Sequence, residues 1–332
     1  MAILGFEGFD TWAGASAVIE RGALWNHGGG STSVANPRFG SGRCLRCTDS
    51  DSMTFDFGSA LTTYGIAFAM SDREPSDDHR FIQMGDLALY MYPSTGEIKL
   101  WRGGATLLFT SATGILDGNY HFLAFAVTHD SSAGTFQMWV DNVDITGGQM
   151  TGLNTRGTAA ATLSNAAFVA DNTIGPIDYD DLYWTDDLTY HGEKRCASFY
   201  PSGNGNSSQL DGSDGNSTDN YLLVDETTPD DDTTYVQSST VNEIDTYAMG
   251  NMSDVSDVAA VYARNYVRKT DAAARESKTV LRSGGTDYLG SAKSLLSTYV
   301  GDRTLYLTDP ATSAAWTPSG VDAVEVGIKV SA

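Results

Sequence analysis

From Arg80 to Thr110 four apolar stretches follow one another, each four to six residues long and each cut off by a turn signal. They are Arg80–Met84, Leu87–Tyr92, Ile98–Trp101 and Thr106–Thr110, separated by Gly85-Asp86, Pro93-Ser94-Thr95-Gly96 and Gly103-Gly104. Segments this short cannot bury a helical stripe, which needs about ten residues or more. Recurring every ten residues or so with Gly or Pro at each break, they predict an antiparallel β-meander.

The same punctuation extends in both directions. Tyr64–Met70 is apolar on both parities and reads as an inner strand covered from two sides. Tyr120–Thr128, Gly134–Val140 with the turn Asp141-Asn142, Val143–Ile145 and Asn165–Val169 follow, while residues 147–165 show no clear period. Earlier, Ile3–Phe9, Ala23–Trp25, Cys44–Cys47 and Met53–Phe57 read as strands; Gly28–Ser31, Arg38–Gly42 and Ser71–Asp78 read as loops or turns. A composition with 35 Gly and only 20 Lys+Arg agrees with a turn-rich all-β chain.

The junction Pro176–Ser208 divides the chain. Ile177-Asp178-Tyr179-Asp180-Asp181-Leu182-Tyr183-Trp184 reads as the last strand of a sandwich, one face dry and one wet, with its aspartates on a solvated sheet edge. Asp178 and Asp180 are expected on one face and Asp181 on the other. A new strand is expected over Lys194–Tyr200, broken at Pro201 and Gly203. Residues 201–234 then read as a long Gly, Asn, Ser and Asp-rich loop punctuated by Tyr221–Val224. Strands resume at Thr234–Gln237, Ile244–Met249, Val258–Arg268, Lys278–Leu281, Thr286–Leu289, Leu305–Leu307 and Val324–Val330. The expected fold class is therefore all-β, two tandem antiparallel β-sandwiches, residues 1–190 and 191–332.

The net charge is −22. Residues 1–190 carry 22 acidic and 9 basic groups, residues 191–332 carry 20 and 11, and no Lys or Arg lies between Arg195 and Arg264. Phosphate backbones need clustered cations, so a nucleic-acid partner is not expected. The opening Met1-Ala2-Ile3-Leu4-Gly5-Phe6 has no basic segment and no long apolar run follows, so neither a signal peptide nor a membrane span is expected, and synthesis is placed in the cytoplasm. Cys44 and Cys47 have C-x-x-C spacing without a second pair or suitably spaced histidines, so reduced thiols in or beside a strand are expected; Cys196 is the third cysteine.

Chemistry-bearing constellations are sparse. His27, His79, His121, His129 and His191 are scattered. No Glu occurs between Glu97 and Glu193, so the paired long carboxylates of a glycosidase strand are missing; Asp178-Tyr179-Asp180-Asp181 is the nearest approach. No catalytic residue, metal or cofactor is expected.

Residues 1–187 resemble the laminin-G-like, concanavalin-type jelly roll. The likeness is carried by the inner strand 64–70, the meander 80–110, Tyr120–Val127 followed by Phe136-Gln137-Met138-Trp139-Val140-Asp141-Asn142, and the closing Ile177–Trp184. It implies possible ligands: calcium, for which the acidic segment 211–232 lacks the spacing of a binding loop, and glycans, which such folds stack on exposed aromatics. Trp25, Trp101, Tyr90 and Tyr92 are the stacking candidates, Tyr90 and Tyr92 sharing one face of their strand.

Residues 195–332 resemble a region of minor structural proteins of tailed bacteriophages. The matching residues are Phe199-Tyr200-Pro201-Ser202-Gly203-Asn204-Gly205, Asn220-Tyr221-Leu222-Leu223-Val224-Asp225-Glu226, Pro229–Val236, Asp245-Thr246-Tyr247 and Leu281–Tyr288. This resemblance implies a non-enzymatic virion protein of the tail, fibre, collar or capsid decoration, with other virion proteins and further copies of itself as partners. A lectin-like protein attaching to host surface glycan is the alternative, and a polysaccharide-degrading glycosidase a remote one.

Overall fold

A computed structural model describes residues 3–10, 25–27, 33–34, 37–39, 43–48, 52–72, 78–170, 176–227, 229–253 and 255–332. Ala23 and Leu24, the Gly28–Ser31 loop, Gly40–Gly42 and most of the Ser71–Asp78 loop lie outside the described residues. The chain forms two compact units, the first ending at Ala197 and the second spanning Ser198–Ala332. Both are all-β and antiparallel, as predicted.

In the first unit two sheets face each other. One contains seven strands among the described residues, ordered 106–110, 97–102, 87–92, 79–84, 163–169, 52–61 and 25–27. The other runs 143–144, 134–140, 121–128, 63–72, 177–185, 45–47 and 33–34, with 3–7 beside 177–185 and 150–153 beside 134–140. Aromatic rings lock the layers together: Phe168 stacks on Tyr179 at 4.1 Å, Phe68 meets Phe168 edge-on at 5.0 Å, and Phe55 lies 5.5 Å from Trp184. Each such pair adds about 0.5–1.5 kcal/mol to the area it buries. Gly5 is required by this packing, because a Cβ there would stand 2.2 Å from the Trp184 indole.

The strand Ile177–Thr185 corrects the expectation of a half-wet edge. It is central, paired with 63–72 on one side and with 45–47 and 3–7 on the other, and all nine residues are buried. A bulge between Asp180 and Tyr183, with Asp181 at φ 52°, also breaks the simple alternation assumed for the aspartates. The outer face is dry because residues 186–197 do not leave the sheet; they lie along it. Tyr190 stacks on Trp139 at 4.9 Å and 9°, its hydroxyl donates to Asn142 Oδ1 at 2.7 Å, and Tyr183 donates to the Gly192 carbonyl at 2.9 Å. Below this strap Ala67, Ala69, Phe122, Ala124 and Tyr183 form a second small core. The strap therefore replaces the strand expected at Lys194–Tyr200.

The strap is also tied to the Asp141-Asn142 hairpin, whose φ values of 48° and 66° are those of a turn that matches strand twist. His121 bridges Asp141 at 2.7 Å and Asp117 at 2.9 Å. Partial burial pulls this imidazole down, but the two carboxylates outweigh it and hold it above its usual range. A histidine raised in the fold stabilises fully below its unfolded value of about 6.5 and loses that contribution as pH climbs through the folded value. Wild type is thus expected to be more stable than His121→Gln at pH 5.5, with the gap closing at pH above the raised value, as read by melting temperature across pH.

The second unit is a six-stranded sheet, 201–208, 244–249, 325–330, 276–283 and 286–289 in order, with 293–294 beside 276–283. A ribbon of 261–267 and 300–306 packs on it through Asn265 to the Gly327 carbonyl at 3.1 Å and Thr279 to Thr304 at 2.6 Å. The expected break at Pro201 is instead the first residue of a strand. Pro is tolerated there because the strand lies at the sheet edge and starts at that residue. Gly205 fits under Thr246, whose carbonyl oxygen would be 2.3 Å from an added Cβ.

One polar cluster organises the segment that reads as a solvated loop. Asp245 is fully buried; its Oδ1 accepts from the Gln209 and Leu210 amides at 2.5 and 2.8 Å, and its Oδ2 from Asn220 Nδ2 at 2.6 Å and Tyr247 at 3.0 Å. The Asp245-Thr246-Tyr247 motif is thus one hydrogen-bonded device, two residues apart on the same strand face. The apolar core, by contrast, is thin. Leu210, Tyr247, Ala263, Val280, Leu281, Val300, Trp316 and Val324 are the buried apolar residues described beyond Ala197, against forty-one before it.

Candidate functional site

The meander presents one face to the interior and one outward. Leu87, Leu89 and Met91 are fully buried, which turns Tyr90 and Tyr92 the other way, half-buried at the surface. Across the next strand Lys99 stands opposite Tyr90, Glu97 opposite Tyr92 and Trp101 opposite Ala88. All of these share the outward face, since directly opposed residues do.

Three of the four aromatic candidates are therefore brought together. Trp101 Nε1 donates to the Tyr92 hydroxyl at 3.2 Å, and the Lys99 ammonium sits 3.7 Å over the Tyr92 ring while pairing with Glu97 at 3.2 Å. Lys99 occupies a face of Tyr92, while Tyr90 and Trp101 are half-buried on the same outward face. Glu97 is held below the usual carboxylate range by hydrogen bonds from Thr95 and Lys99, so it is charged at neutral pH. Trp25 is not part of this group; its strand lies at the opposite end of the same sheet, four strands from that of Tyr90.

Two polar residues of the face escape sequence reasoning. Arg80 stands opposite Tyr90 and Gln83 opposite Ala88, and Arg80 Nη1 donates to Gln83 Oε1 at 2.6 Å. Residues three apart do not share a strand face. They do here because the register shifts between Arg80 and Ile82, which lets Phe81 and Ile82 both turn inward, each fully buried. The adjacent apolar pair Phe81-Ile82 was the available signal.

The other constellations resolve differently. Arg46 clasps Asp178 through two bonds of 2.6 and 2.7 Å. Asp180 accepts from the amides of Arg38 at 3.0 Å and Asp181 at 2.8 Å, and Asp181 accepts from that of Cys196 at 2.7 Å. Burial pushes both Asp180 and Asp181 up, Asp180 further because the Asp181 carboxylate adjoins it. Each aspartate is thus engaged in holding backbone or guanidinium inside the sheet. Cys44, Cys47 and Cys196 form no disulfide among the described residues, and burial raises Cys196 well above the ordinary thiol range. In the acidic segment Asp230 bonds Thr234, and Asp232 pairs with Arg268 at 2.7 Å. Among the described residues no group of three or more His, Cys, Asp or Glu is arranged to hold a metal ion, and no helix is long and apolar enough to cross a membrane.

The fold and this face define an antiparallel β-sandwich with an outward aromatic and polar sheet surface. Solved structures with some likeness cover a little over half of the chain. Domain 4 of AbnA, a GH43 extracellular arabinanase from Geobacillus stearothermophilus, in complex with arabinotriose, is 16% identical with a TM-score of 0.41, over 56% of this chain and 94% of that one. Lectin II from Ulex europaeus is 10% identical with a TM-score of 0.37, over 56% and 100%. The Ca2+/Man2-bound exoplasmic/lumenal domain of VIP36 is 12% identical with a TM-score of 0.34, over 55% and 88%. No family model matches the sequence, and no curated protein matches it. What the face can bind is decided by its own side chains.

Proposed function

We propose that the chain is a non-enzymatic glycan-binding protein of concanavalin type, with the outward face of strands 79–84, 87–92 and 97–102 as its binding surface. The observation that carries this reading is the gathering of Trp101, Tyr90 and Tyr92 on one sheet face beside Lys99, Glu97 and Gln83. Flat rings supply the apolar contact a sugar face needs, and charged or amide groups around them supply hydrogen bonds for its rim. Trp101→Ala is expected to lower affinity for the best ligand of a glycan array at least tenfold while leaving the melting temperature within a few degrees. Absence of binding to any glycan by the wild-type protein would overturn the reading.

A second reading is a structural component of a tailed-phage virion, in the tail, fibre, collar or capsid decoration, assembling with further copies of itself. The thin core of residues 198–332 favours it, because a unit with eight buried apolar residues gains from surfaces supplied by neighbours. The two readings are compatible. Sedimentation as an oligomer and co-purification with phage particles would support the second; a monomer absent from particles would leave only the first.

A further inference from the structure

The second unit leaves much of its apolar material outside. Six large apolar residues described beyond Ala197 are exposed, against three before it. Two of the six lie at opposite edges of the six-stranded sheet. Leu289, 41% exposed, is on the edge strand 286–289; Leu222, 53% exposed, is on the short 3-10 helix Asn220–Leu223 beside the other edge strand, 201–208. Two bonds tie this helix and the residues before it to their strand: Asn204 donates to Asp219 at 2.7 Å and Ser208 to the Ser217 carbonyl at 2.6 Å.

The charges beside the two leucines are of opposite sign. Leu289 stands opposite Val280, and Lys278 is two residues before Val280 on the same strand face. Lys278 in turn stands directly opposite Lys329. Like charges opposed across a ladder weaken a sheet, and among the described residues neither ammonium has an ion-pair or hydrogen-bond partner. The acids of these strands are engaged elsewhere: Glu276 accepts from Ser294, Asp287 pairs with Arg282, and Glu325 accepts from Thr246. Around Leu222 the sequence carries only acids. Asp211, Asp214, Asp219 and Asp225 are exposed, and no Lys or Arg lies between Arg195 and Arg264. The Leu222 amide closes a turn onto the Asp219 carbonyl at 3.0 Å, which spaces leucine and aspartate by ~6 Å along the helix. Leu289 and Lys278 are diagonal neighbours, ~7 Å apart.

We propose that the surface of Leu289, Lys278 and Lys329 takes the Leu222 helix of a second copy of this chain, leucine on leucine, with Asp219 and Asp225 of the incoming copy on the two lysines. The proposal rests on the reading that the chain assembles with copies of itself, and names the surfaces that do so. Charge complementarity selects the occupant: the acidic segment lacks cations of its own, and the lysines lack acids. The two surfaces differ and lie at opposite edges of one sheet, so each copy gives one and receives the other. Such a head-to-tail contact continues as a ring or an open row. The opposed lysines, which weaken the isolated sheet, gain their counter-charges in the assembly.

The test is sedimentation velocity of the full chain over a concentration series, for wild type, Lys278→Glu, Leu222→Asn and an equal mixture of the two variants. Wild type is expected to form oligomers that weaken at high salt, where charges are screened within about 3 Å. Each variant alone is expected to associate about tenfold more weakly or less, having lost one of its two surfaces. The mixture is expected to form dimers and nothing larger, because the intact Leu222 helix of one variant meets the intact lysine surface of the other. Lys278→Glu is also expected to melt no lower than wild type, since it relieves the opposed charges, and this separates loss of contact from loss of fold. Wild-type oligomers that both variants retain overturn the proposal and leave self-assembly standing on another surface. A mixture that associates no better than either variant alone overturns the head-to-tail contact. A wild type that is monomeric at every concentration overturns both; binding of polyglutamate by that monomer would give the lysine surface to an acidic segment of another protein.

Discussion

Asp245→Ala is expected to unfold the second unit selectively. The carboxylate is fully buried and accepts four hydrogen bonds, from the Gln209 and Leu210 amides, Asn220 Nδ2 and Tyr247. Its removal strands three buried donors, those of Leu210, Asn220 and Tyr247, each of which costs about 1–3 kcal/mol when unsatisfied, and frees the more exposed Gln209 amide. Water entering the space offsets part of this, so a net loss of about 3–5 kcal/mol is expected. That is a large share of the 5–15 kcal/mol that holds a typical domain together, and the unit has little apolar core in reserve. Two-probe thermal denaturation should show a transition of residues 198–332 moved down by 10 °C or more, with the first unit unmoved. A shift below about 3 °C would mean that the segment 209–223 is held by something other than this cluster.

Arg46→Met should have an effect of similar size in the first unit, for a different reason. Asp178 is fully buried and Arg46 grips both its oxygens. The guanidinium is held above its ordinary range first by that hydrogen bonding, against the opposing effect of burial. Taking away one partner leaves a buried carboxylate without its counter-charge, a loss of about 3–5 kcal/mol. The double variant Arg46→Met with Asp178→Leu removes both charges and is expected to recover most of the stability, since a buried ion pair and an apolar pair of similar volume are often near parity. Urea denaturation of the two variants checks this; a double variant no more stable than the single one would place the role of Asp178 elsewhere than in that pair.

The residues that declare themselves in sequence are those whose period is uninterrupted. The meander strands, the inner strand at 63–72 and the alternating 325–330 emerge with limits close to those read from apolar spacing. Three features were illegible because their signals are local and polar. The strand Pro201–Ser208 has no apolar residue beyond its proline, so only its pairing with Ile244–Met249 makes it a strand. The closing strand looks half-wet because its aspartates are read as surface residues, whereas Arg46, Arg38 and the Cys196 amide are brought to them from distant positions. On the candidate face the three meander aromatics could be named from residue type, but Arg80 and Gln83 could not, since their common side depends on a one-residue register shift.

The strap of residues 186–197 has a mechanical consequence. A tether that ran straight off the end of a strand would transmit tension directly into the sheet's hydrogen-bond ladder. Here a pull applied beyond Ala197 meets the Cys196 amide's bond to Asp181 first, then the Glu193 contacts with Arg38 and Asn142, then the flat contact of Tyr190 on Trp139, and only afterwards Thr185. These attachments yield one at a time, like a seam being unpicked, so the first unit is shielded from load by about a dozen residues of slack that it keeps folded against its own side.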